Sequence, residues 1–94
     1  MDFESKKKLL FEEGQFLSFI RETAGITLEE LCGETNISFE KLLEFEDGYM
    51  KSVDEYNLVC EHYLKSLLKV SRKKGINIIK VIQKLAKTDL EIYQ

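Results

Sequence analysis

Apolar residues recur three and four positions apart along almost the whole chain, and no stretch alternates apolar with polar as a half-buried strand would. The pattern predicts an all-α fold of five helices. A first helix covers Glu4 to Glu13, with Gly14 to Thr23 as its continuation and Phe16, Leu17, Phe19 and Ile20 facing inward. Gly25 suits the left-handed residue that ends it. Thr27-Leu28-Glu29-Glu30 reads as a capping box, in which hydroxyl and carboxylate satisfy two orphan amides of a second helix ending near Thr35. Asn36 tolerates a left-handed turn, Ile37 packs it, and Ser38 caps a third helix that closes at Asp47-Gly48. Ser52-Val53-Asp54-Glu55 repeats the box and opens a fourth helix. Its apolar stripe is Tyr56, Val59, Cys60, Tyr63, Leu64 and Leu67, and Gly75 stops it. A fifth helix follows from about Ile76 to Lys87, and the tail after Thr88 frays.

Ninety-four residues without a proline describe one domain. Three segments are expected within it: an N-terminal helical extension (1–13), a helix-turn-helix unit (14–67) and a basic C-terminal helix and tail (68–94). The net charge of −3 hides a split. Through Tyr63, six bases stand against fifteen acids, a balance of −9; from Leu64 onward, eight bases stand against Asp89 and Glu91, a balance of +6. Such a split points to a nucleic-acid or acidic-partner surface, or the cluster Lys69 to Lys74 simply complements the dipole at a helix end. Lys6, Lys7 and Lys8 read as a solvated stripe in preference to a phosphate clamp. No run approaches the ~20 apolar residues of a membrane span, and MDFESKKKLL has no apolar signal core, so a cytoplasmic setting is expected. Cys32 and Cys60 form neither a metal spacing nor a disulfide framework, and Cys60 shares no helix face with His62.

Several residues, in order and at fixed spacing, carry a family resemblance. They are Gly14, Ile20-Arg21-Glu22, Gly25-Ile26-Thr27, Glu29-Glu30-Leu31, Asn36-Ile37-Ser38 and Phe45-Glu46-Asp47-Gly48. Over about Gly14 to Leu67 the chain resembles the Xre/Cro-like phage-repressor family of helix-turn-helix domains. The resemblance implies a lambda-repressor-like fold, here with an extra C-terminal helix. It also implies a structural ion pair between Arg21, late in helix one, and Glu46, at the end of helix three, a bidentate bridge that holds the reading helix at its angle. The other reading of that pair is two solvated surface charges.

The departures from the family concern the DNA-reading positions. Leu28 stands where DNA-reading members carry glutamine, and the start of helix three presents Phe39, Glu40, Lys41, Leu43 and Glu44 instead of small polar or basic residues. From Ser38 to Gly48, Lys41 faces Glu40, Glu44, Glu46 and Asp47, a balance of −3. Each acid near a phosphate costs on the order of 1 kcal/mol even in a water-like dielectric. Glu40 or Glu44 can still accept from cytosine if Lys41, Lys51 and the C-terminal bases hold phosphates. Phe39 fits a thymine methyl, a protein partner or its own helix, with the partner favoured.

Two functions are therefore expected. The first is a small transcriptional regulator that binds operator DNA as a homodimer, with Ser38, Phe39, Glu40, Lys41, Glu44 and Lys51 at the DNA. The second is an antirepressor- or antitoxin-like module that has lost the DNA and turns its acidic face to a basic protein partner. The apolar girth of helix five (Ile78, Ile79, Val81, Ile82 and Leu85) suggests a dimer or partner surface, or else a cap on the bundle. Glu12-Glu13 and Glu29-Glu30 resemble catalytic carboxylates only in composition, with no nucleophile or cleft assigned beside them. No enzyme activity, cofactor, metal or membrane partner is expected.

Overall fold

A computed structural model describes residues 3–93, with side chains described for 6–85. Five helices follow one another: α1 (Phe3–Thr23), α2 (Leu28–Thr35), α3 (Phe39–Glu46), α4 (Val53–Lys73) and α5 (Ile78–Tyr93). The all-α, five-helix architecture is as expected, with α2, a three-residue turn and α3 forming a helix-turn-helix at its centre.

The local signals act largely as written. Gly25 sits at φ +74° and its N–H donates to the Glu22 carbonyl, closing α1. Thr27 and Glu30 form the reciprocal box: Thr27 N–H donates to Glu30 Oε1 at 3.0 Å, and Glu30 N–H to Thr27 Oγ1 at 3.2 Å. Asn36 takes the left-handed position at φ 59°, and Ser38 Oγ accepts from Lys41 N–H at 3.1 Å. The box at Ser52 is altered. Ser52 Oγ accepts from Glu55 N–H, but the Glu55 carboxylate reaches one residue further back and accepts from Lys51 N–H at 3.0 Å.

Tyr63, Phe45, Ile20, Ile26, Leu31 and Leu42 form the fully buried centre, where α1, α2, α3 and α4 meet. Phe45 packs between Tyr56 and Tyr63, with ring centroids 5.3 and 5.0 Å away. The close approach of α1 to the end of α3 depends on Gly14. A Cβ there would lie 2.7 Å from the Phe45 carbonyl oxygen and nearer still to that of Glu46. Gln15 seals the same junction, donating to the Glu46 carbonyl at 3.0 Å.

Several expectations are corrected. On α1 the inward line is Leu10, Gly14, Leu17, Ile20 and Arg21; Phe16 and Phe19, expected inward, lie off that line and are 45% and 55% exposed. On α4, Leu64 is likewise exposed, because the buried line runs through Tyr63, Ser66, Leu67, Val70 and Ser71. α5 begins two residues later than expected, at Ile78, and continues beyond Lys87 to Tyr93. The side chain of Lys87, one of the expected C-terminal bases, lies outside the described residues.

Candidate interaction surface around α3

The position of α3 is set from beneath by a buried polar network. Arg21 Nε donates to Glu46 Oε2 at 2.7 Å and Nη2 to Oε1 at 3.2 Å, the bidentate bridge expected of this pair. The third guanidinium nitrogen, Nη1, donates to the Ile26 carbonyl at 2.7 Å. Tyr63 Oη donates to Glu46 Oε2 at 2.6 Å, so α1 and α4 converge on one carboxylate of α3, on a residue that is 3% exposed, while Arg21 also ties in the α1–α2 turn. Burial works to lower the Arg21 pKa, but the hydrogen bond and charge of Glu46 outweigh it and hold the guanidinium above its ordinary value. Burial first, and then Glu46, push the Tyr63 phenol up. The pair is thus internal, and neither partner is a solvated surface charge.

Tyr63 was not foreseen as a member. The available signal was a tyrosine within a core stripe, because a buried phenol hydroxyl requires a partner.

The outer surface of α3 is ordered around its axis. On the side nearest α2 lie Phe39 and Leu43, one turn apart and each about two-fifths exposed. Glu40 and Glu44 come next and are exposed; Lys41 follows, on the side nearest α4. Ser38, also exposed, spends its oxygen on the α3 cap. Lys41 does not project toward solvent as a phosphate contact: Nζ donates to Glu55 Oε1 at 2.6 Å and lies 3.5 Å from Glu44 Oε2. Glu55 raises the Lys41 pKa, and Lys41 in turn lowers that of Glu55. Leu28 is buried in the core. Burial, and then the carboxylates of Glu29 and Glu40, push the Cys32 thiol up.

The basic C-terminal half meets the acidic half within the same molecule. Lys69 Nζ lies 3.2 Å from Glu34 Oε2, and Lys73 pairs with the other oxygen of that carboxylate. Lys74 donates to Glu30 Oε1 at 2.8 Å and to the Gly25 carbonyl at 3.1 Å. Glu30 is lowered chiefly by Lys74, and Glu34 by Lys73 and Lys69. Much of the split charge therefore fastens α4 to α2. Lys51 differs: its side chain is exposed and, with Lys7 and Lys8, lines a concavity of about 570 Å3 that also contains Phe11 and the 73% exposed Tyr49.

The proposed surface on α5 is only partly exposed. Ile78 is a core residue at 6% exposure, and Val81 and Leu85 pack against the core, because α5 lies on α1. Ile79, at 61%, and Ile82 remain outward, and Ile79 shares a shallow depression with Leu68 of α4.

Among the described residues no group of three metal-ligating side chains comes together, and no helix is long and apolar enough to cross a membrane. No protein-family model, curated protein or solved structure matches this chain.

Proposed function

We propose that this chain is a cytoplasmic regulatory module built on an Xre/Cro-like helix-turn-helix. In this reading it acts without catalysis and works by presenting α3 to a basic protein partner. The observation that carries the proposal is the engagement of Lys41 with Glu55 and Glu44, which leaves Phe39, Leu43, Glu40 and Glu44 as the outward features of α3. A helix in the major groove needs cations or small polar groups toward the duplex, and affinity grows with each phosphate neutralised. Here the one lysine of that helix is neutralised within its own chain, chiefly by Glu55, while Glu40 and Glu44 remain exposed.

A second reading is operator DNA binding as a homodimer. It is favoured by one specific arrangement, the gathering of Lys7, Lys8 and Lys51 beside Tyr49 just past the end of α3. In that reading these lysines hold phosphates, Glu40 or Glu44 reads cytosine, and Ile79 and Ile82 contribute to the contact between copies.

Fluorescence anisotropy with mixed-sequence duplexes, titrated from low to physiological salt, separates the two. The expected result is no binding at any salt concentration. Affinity that falls steeply as salt rises would overturn the first reading in favour of the second.

A further inference from the structure

On its α2 side the outer surface of α3 descends into a groove. Phe39 and Leu43 stand on one side, the buried Ile26 and Leu28 lie beneath, and Gly25 and Thr27 border the other side of a shallow, open depression of about 470 Å3. Glu22 and Glu29 stand at the rim, with Glu40 and Glu44 on the adjoining flank of α3. Arg21 also lines the groove, but its guanidinium is held by Glu46 and the Ile26 carbonyl.

We infer that this groove docks a basic, amphipathic helix of a partner protein, an assignment that rests on the partner-binding reading above. Its volume falls within the range of roughly 300–1,000 Å3 found for ligand pockets, room for apolar anchors from one turn of a helix. On the α3 side, Phe39 and Leu43 are large apolar side chains left about two-fifths exposed, the kind of anchor that interface cores bury. Glu22 and Glu29 border it and Glu40 and Glu44 adjoin it, while the neighbouring cations Arg21, Lys41 and Lys74 are held more closely by Glu46, Glu55 and Glu30 than by any of these four. Apolar walls with an acidic rim are complementary to a helix bearing leucines on one face and lysines along its flanks. They repel a phosphate backbone. Among the chain's own C-terminal lysines, Lys69 and Lys73 are engaged with Glu34, and Lys74, which reaches the groove wall at the Gly25 carbonyl, is held there and by Glu30.

The test uses the full chain and a fluorescein-labelled synthetic leucine–lysine amphipathic helix. Anisotropy should show saturable binding that weakens as salt rises. Leu43→Asp should weaken it at least tenfold, Glu40→Lys with Glu44→Lys should do the same through charge, and Leu64→Asp on α4 should leave it unchanged. Amide chemical shifts should move at Gly25 to Glu29 and at Phe39 to Glu44, and well-dispersed spectra of each variant show that it folds.

Absence of peptide binding overturns the assignment, as does wild-type affinity in Leu43→Asp or shifts confined to other surfaces. Concentration-dependent shifts of the same amides without peptide would place a second copy in the groove and overturn it as well. Duplex titration of the same protein keeps the two levels apart. Silence toward both probes removes the groove assignment alone, whereas salt-sensitive duplex binding removes the partner reading itself.

Discussion

The two sides of α3 use the same residue type for opposite ends. Glu46, on the inner side, is surrounded by Arg21 and Tyr63 and joins three helices. Glu40 and Glu44, on the outer side, face solvent, and only Glu44 lies near a cation, one that Glu55 holds more closely. Burial decides the difference. A carboxylate taken out of water must be fully partnered, so it becomes a fixed joint; an exposed one can remain available to another molecule.

The largest blow to the inner side is Glu46→Ala, which strands a buried guanidinium and a buried phenol hydroxyl. The expected loss is about 3–5 kcal/mol, read from the urea midpoint. That is a large share of the stability of a domain this size, and retention of a wild-type midpoint would mean that the pair does not hold α3. Next comes Gly14→Ala, which places a methyl against the terminal carbonyls of α3. It should cost about 1–3 kcal/mol through overpacking and shift amides at the end of α3 more than those of α2. The outer side is sharpened by Glu40→Lys with Glu44→Lys. This change should leave the melting midpoint nearly unmoved and confer duplex binding, with a logarithmic salt slope of about two units from the two new lysines.

The smallest expected effect concerns the seam between α2 and α4. Lys74 and Thr27 hold Glu30 below its ordinary value of 4.5, and Lys73 and Lys69 do the same for Glu34. A carboxylate lowered in the folded state contributes its stability fully above the unfolded value and loses it as pH falls through the folded one. Urea midpoints should therefore begin to drop below about pH 4.5, and Glu34→Gln should make that decline shallower. An unchanged acid limb in the variant would show that the seam contributes nothing.

How much of this was legible in the sequence depended on how far the signal travels along the chain. Caps and turns at Gly25, Thr27, Asn36 and Ser38 are written within four residues, and they formed at the positions expected of them. The bridge from Arg21 to Glu46 spans 25 residues and was visible only through the family resemblance. Its third member, Tyr63, was not visible at all.

Periodicity also misled where a helix carries apolar residues on more than one face. On α1 it could not tell the line of Leu10, Leu17 and Ile20 from the neighbouring Phe16 and Phe19, because that choice is made by what packs against the helix. The same holds for Ile78, drawn into the core by the docking of α5 on α1. The groove beside Phe39 and Leu43 was beyond reach for a related reason: three separate elements build it, and none encodes a concavity by itself.

Glu55 carries two duties at once, gripping Lys41 Nζ with one oxygen and the Lys51 amide with the other. Any anion that captured Lys41 would have to compete with that carboxylate and would set it loose. The grip on the Lys51 amide, just ahead of α4, would then slacken with it. Occupancy at α3 and order in the loop that follows are thereby made reciprocal, so a molecule that steadies the loop must also make Lys41 harder to take.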